Sequence, residues 1–135
     1  ELLKIPIFGW QLKKIGSISI ERNKTTQDNL GFSDQIKKHI NNSNRPIIIF
    51  PQATRVEALD RSPFKKGVKR IYEELKISCQ PVALNSGDVW PKNGKLKPNR
   101  TLTVSILDPI DPNINSDEFL DLLQKNIYNE IEKVI

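Results

Sequence analysis

The sequence contains no methionine, one cysteine and one histidine, and each scarcity closes off a class of function. A lone cysteine, Cys79, permits neither a disulfide framework nor a cysteine metal cluster. It lies in the apolar run "ISCQPVAL", where a buried, inert thiol is expected rather than a nucleophile, and a reducing compartment suits that usage. The one histidine, His39, sits in "DQIKKHINN" beside Lys37 and Lys38, an expected helical position with an exposed or half-exposed side chain. Asp34 stands five residues earlier, on a different face of a helix that turns about 100° per residue. No Ser-His-Asp or Cys-His system can be assembled on such a histidine. Gly-x-Gly-x-x-Gly and Walker-type Gly-Lys-Ser/Thr patterns are missing as well. No apolar run approaches the roughly 18–20 residues needed to span a bilayer. The opening "ELLKIPIFGW" lacks the basic start and small-residue cleavage site of a signal peptide. Without an initiator methionine it reads as a chain cut from something longer.

What is present describes one globular domain over residues 1–135, long enough to bury a continuous core. Charged residues make up 27% and hydrophobic ones 37%, too apolar a balance for a disordered chain. The net charge of +5 points to anionic partners, whether nucleic acid, phospholipid headgroups or phosphorylated small molecules. A basic nucleic-acid-binding module is the weakest of these, because the two tryptophans are isolated and aromatic and basic residues do not interleave.

Four strands are expected, over 15–22, 46–50, 79–85 and 101–107. The second, "PIIIF", is continuously apolar, as in a central strand covered on both faces. The fourth alternates, with Leu102, Val104 and Ile106 on one face and Thr101, Thr103 and Ser105 on the other, the mark of a strand with one face less buried. Helices are expected over about 26–42 (stripe Phe32, Ile36, Ile40), about 63–76 (stripe Phe64, Val68, Ile71, Leu75) and about 117–134 (stripe Phe119, Leu123, Ile127, Ile131). Ser62-Pro63 and Ser116 are the expected caps of the last two. The resulting order, β-α-β-α-β-β-α, predicts an α/β fold: a layered sheet, mixed or mostly parallel, flanked by helices. The Gly-, Pro- and Asn-rich 85–100 is expected to be loop.

Six basic residues, Arg55, Arg61, Lys65, Lys66, Lys69 and Arg70, crowd the segment from 55 to 70 against two acids, Glu57 and Asp60. Arg22 and Arg55 each close an expected strand. If those strands run parallel, both guanidinium groups emerge at the carboxyl edge of the sheet, where α/β folds bind ligands. Two such forks there suit a phosphate. Two solvated charges after strands would look the same in sequence.

"FPQATR" (50–55) resembles the Phe-Pro-Glu-Gly-Thr-Arg block of the glycerolipid acyltransferase family, specifically the 1-acyl-glycerol-3-phosphate (lysophosphatidic acid) acyltransferases. Residues 2–23 are similar to the stretch leading to that family's Gly-x-x-x-x-x-Arg block, with Gly16 and Arg22 in the matching places. "SPFKKGVKRI" (62–71) and "QPVALNSG" (80–87) match the blocks that follow, in the same order. The resemblance implies acyl transfer from an acyl-carrier-protein or coenzyme A thioester to the free hydroxyl of a lysophospholipid, giving phosphatidic acid. It implies that Arg22 and Arg55 hold the acceptor's phosphate, that Gln52 and Thr54 lie beside the acceptor, and that Pro81 shapes the site wall. It implies no cofactor and no obligatory metal, and a place on the cytoplasmic face of a membrane, peripheral or anchored through a preceding segment.

The departures are specific. The family's His-x-x-x-x-Asp base is missing: position 44, five after His39, is Asn44. Gln52 and Ala53 stand where the family has glutamate and glycine. The chain therefore reads as the C-terminal part of an incomplete acyltransferase domain, inactive on its own and with no catalytic residue of its own. The alternative is a non-catalytic remnant that binds a phosphorylated lipid. Ile5, Ile7, Phe8 and Trp10, flanked by Lys4, Lys13 and Lys14, form either part of the core or a shallow membrane-interfacial patch.

Overall fold

A computed structural model of the chain describes residues 5–18, 30–43 and 45–135, and within 5–43 leaves the side chains of Phe8 and residues 30–33 undescribed. The chain divides into two compact units, Glu1–Ile48 and Ile49–Ile135.

The first unit carries two helices, α1 (Phe8–Lys14) and α2 (Leu30–Asn42). A strand was expected from residue 15, but Ile15 and Gly16 instead terminate α1. Gly16 takes φ +78, its N–H bonds the Lys13 carbonyl (3.1 Å), and the Ser17 N–H reaches back to Leu12 (2.9 Å). This Schellman cap uses the left-handed conformation that glycine adopts without penalty; residues 19–22 of the expected strand lie outside the described residues. Gly16 also lies against His39: a Cβ there would stand 2.7 Å from the imidazole Cε1. His39 is half-buried, as expected of it, and Ile36 is the buried member of the predicted α2 stripe. The side chain of Phe32 in that stripe is not described, and Arg22 lies outside the described residues.

The second unit contains α3 (Gly67–Leu75), β1 (Val82–Leu84), α4 (Ser86–Val89), β2 (Val104–Ile106) and α5 (Ser116–Val134). The whole predicted α5 stripe is buried, joined by Tyr128, and it packs against Phe64, Val68 and Tyr72 from the α3 side and Ala83 from β1. Tyr72 stacks on Phe119 with ring centroids 3.7 Å apart, and its hydroxyl donates to the Asp111 carbonyl at 2.5 Å. Cys79 is half-buried, its backbone bridged to Ile110, and burial pushes its thiol pKa up.

Three expectations fail here for identifiable reasons. The only sheet among the described residues has two antiparallel strands, Val82 opposite Ile106 and Leu84 opposite Val104, rather than a parallel layer. The run 46–50 is not a strand: among the described residues no strand lies alongside to give its amides a ladder, and Ile48 and Phe50 are 78% and 72% exposed. On β2 the apolar row faces outward, with Val104 and Ile106 exposed, while Ser105 between them is half-buried. The caps also shift. α5 is capped by Asn115, whose Oδ1 accepts from the Asp117 N–H (2.8 Å), with Ser116 the first helical residue. α3 starts four residues after Pro63, because the Phe64 amide donates to Gln124 Oε1 and the Lys65 amide to the Pro51 carbonyl, both at 2.9 Å. Those tertiary acceptors keep the Phe64 and Lys65 amides out of the helix.

Candidate functional site

Residues 50–53 form a tight turn. Pro51, with φ fixed near −65°, favours the second position of such a turn, and the Ala53 N–H closes it on the Phe50 carbonyl at 3.0 Å. Ala53 has φ +58, in the left-handed region where an L side chain is strained. The glycine that a sequence comparison leads one to expect at this position thus has a conformational reason.

The turn is tied down from behind. The Pro51 carbonyl receives the Lys65 amide, and Gln52 Nε2 reaches the Tyr128 hydroxyl at 3.4 Å, the outer limit of a hydrogen bond. Tyr128 donates in turn to the Ser62 carbonyl (2.5 Å) and meets Phe64 edge-on, with centroids 5.1 Å apart. Half-buried Gln52 is therefore oriented towards α5, whereas Thr54 and Arg55, next along the chain, are exposed. The turn thus directs Gln52 towards the Tyr128 hydroxyl and leaves Thr54 and Arg55 at the surface. Pro81 is fully buried at the foot of β1, its carbonyl accepting from Leu107 (3.0 Å).

Two residues that sequence reasoning passed over hold the segment after Arg55. Gly87 lies so close to it that a Cβ would stand 2.9 Å from the Val56 carbonyl oxygen and 3.0 Å from the Ala58 nitrogen. The turn of α4 that carries Gly87 is fixed by Asn85, the one buried polar residue among those described. The Asn85 amide donates to the carbonyls of Thr101 and Val134, each at 3.0 Å, and its oxygen accepts from the Thr103 N–H at 2.8 Å. Beta-strand ends and the C-terminal turn of α5 thereby converge on one side chain. In sequence both residues fall in "NSG", the end of the "QPVALNSG" block and the start of an expected loop, with no hint of these contacts.

The basic residues of 55–70 separate into two groups. Arg61 pairs with Glu132 (2.8 Å) and lies over the Tyr128 ring, Lys69 pairs with Asp117 (2.5 Å), and Arg70 pairs with Glu74 (3.3 Å). Arg55, Lys65 and Lys66 are exposed, and among the described residues no carboxylate lies at ion-pair distance from them. Asp60, the nearest acid before Arg61, is engaged by Ser62, whose hydrogen bonds lower its pKa. Two recesses lie elsewhere: about 300 Å³ between the end of α3 and the start of α5, and about 370 Å³ around His39 in the first unit.

Residues 50–55 thus combine a turn led by Phe-Pro, a left-handed Ala53 and, two residues on, an arginine with no ion-pair partner among the described residues. The acyltransferase family model matches residues 1–85, and the chain belongs to the acyltransferase family. It is 30% identical over 137 aligned residues to a 1-acyl-sn-glycerol-3-phosphate acyltransferase of Helicobacter pylori, covering 98% of this chain and 56% of that protein. A protein of the same description from Pseudomonas aeruginosa is 31% identical over 108 residues, covering 78% of this chain and 41% of its own length. One from Chlamydomonas reinhardtii is 25% identical over 130 residues, 94% of this chain and 38% of that protein. The chain thus spans about half the length of these relatives, or less. No solved structure matches it.

Proposed function

We propose that the chain is the acceptor-binding part of an enzyme that transfers an acyl group from an acyl-carrier-protein or coenzyme A thioester to the free hydroxyl of 1-acyl-glycerol-3-phosphate. Phosphatidic acid is the product. The observation that carries this reading is the turn at 50–53, pinned from behind and presenting Thr54 and Arg55 to solvent, with no acid beside Arg55 among the described residues. An exposed guanidinium without a carboxylate partner is free to take two oxygens of a phosphate at once. The family's general-base chemistry at the acceptor hydroxyl uses an imidazole oriented by an aspartate. The one imidazole of the 135 residues, His39, lacks that aspartate five positions on. The chain by itself accordingly binds acceptor without turning it over.

A membrane surface, on its cytoplasmic face, is the second element of the proposal. Ile5, Ile7 and Trp10 are 48%, 79% and 56% exposed, and Lys14 Nζ lies 3.8 Å above the Trp10 ring. Apolar side chains beside lysines match an interfacial segment on anionic lipid. The test of the main reading is an acyl-transfer assay on the isolated chain with an acyl-coenzyme A and lysophosphatidate. No product is expected; turnover would show that the base lies within these residues.

A further inference from the structure

We infer that Lys65 and Lys66 are phosphate-binding residues that act with Arg55, an assignment that rests on the acceptor-site reading above. A phosphomonoester carries nearly two negative charges and three strong acceptor oxygens at neutral pH. One guanidinium fork engages two of those oxygens and neutralises one charge, so a site for such a headgroup calls for a second cation. Besides Arg22, which lies outside the described residues, the segment at 65–66 supplies such a cation. The Lys65 amide bonds the Pro51 carbonyl at 2.9 Å, which sets the backbone of Lys65 and Lys66 directly against the turn that leads into Thr54 and Arg55.

The pairing of charges separates these two lysines from their neighbours. Arg61, Lys69 and Arg70, from the same basic segment, are each committed to a carboxylate. Lys65 and Lys66 have none at ion-pair distance among the described residues, although Asp117, Glu132 and Glu74 all serve neighbouring cations. The next residue, Gly67, has open space around it: a Cβ there would meet nothing within 4 Å. Both lysines are exposed, on a backbone that the Phe64 amide, bonded to Gln124, fixes from the other side. The ligand class is a phosphate monoester on a small polyol, the headgroup of the acceptor.

The experiment is a titration of the 135-residue chain with glycerol 3-phosphate, and with glycerol as the uncharged comparison, followed by backbone amide chemical shifts. Shifts confined to about 51–55 and 64–67 are expected with glycerol 3-phosphate alone. Lys65→Gln and Lys66→Gln should each weaken binding by about fivefold, the upper end for a solvent-exposed charge contact. Lys125→Gln, which removes a charge from the exposed face of α5, should leave it unchanged. If Arg55→Gln weakens binding while the two lysine variants behave like Lys125→Gln, the lysine assignment is overturned and the acceptor-loop reading stands. If the chain does not bind glycerol 3-phosphate, or Arg55→Gln binds it as well as the parent, both are overturned.

Discussion

Ala53→Gly should stabilise the chain. Ala53 sits at φ +58, closing the 50–53 turn through its own N–H at 3.0 Å. An L residue in the left-handed region costs roughly 1–2 kcal/mol through the approach of Cβ to the following carbonyl. Glycine escapes that cost but loses about 0.5–1 kcal/mol more backbone entropy on folding. The balance is a gain of about 0.5–1 kcal/mol, with the hydrogen bond retained and no buried contact altered, since Ala53 is exposed. With a urea m-value of about 1–3 kcal/mol/M, the midpoint should rise by roughly 0.2–1 M at constant m. Ala53→Val supplies the opposite arm: a β-branched residue tolerates this region worst, so its midpoint should fall. A midpoint that stays put or drops in Ala53→Gly would refute the left-handed assignment and with it the explanation of the family's glycine.

Asn85→Ala should cost about 2–4 kcal/mol, because it strands the Thr101 and Val134 carbonyls and the Thr103 amide together; a loss below 0.5 kcal/mol on urea unfolding would show that water replaces the side chain freely. For Cys79, burial raises the folded thiol pKa above its ordinary value of 9.0. The native state then holds the proton longer than the unfolded chain does, so this contribution is complete below pH 9 and is lost as the pH rises through the folded pKa. Alkylation by iodoacetamide at pH 8 should accordingly be slower in the folded chain than in the same chain in urea; equal rates would contradict it.

The parts of the fold that the sequence announces are those whose energetics are local or one-sided. The α5 stripe, Phe119 to Ile131, is a helix-period pattern long enough to be unambiguous, and each of its members is buried. What failed depends on partners that composition does not display. "PIIIF" has the apolarity of a central strand but no neighbouring strand among the described residues, and β2 turns its apolar row away from α5. The start of α3 moved because Gln124 and Pro51, 60 and 14 positions away, accept the Phe64 and Lys65 amides. Of the candidate site, Thr54 and Arg55 were legible from a motif. The anchoring of Gln52 on Tyr128 and the close approach of Gly87 to Val56 are long-range contacts that no local pattern encodes.

The central claim is that the exposed end of the 50–55 turn receives the phosphate of a lysophospholipid. The direct measurement is equilibrium binding of 1-acyl-glycerol-3-phosphate to the chain, below the lipid's critical micelle concentration, beside the monoacylglycerol with the same acyl chain. Binding should require the phosphate and should fall by about tenfold or more in Arg55→Gln, the loss of one charge-assisted bidentate contact. Equal affinity for the two lipids, or phosphate-dependent binding that survives Arg55→Gln intact, would contradict the account.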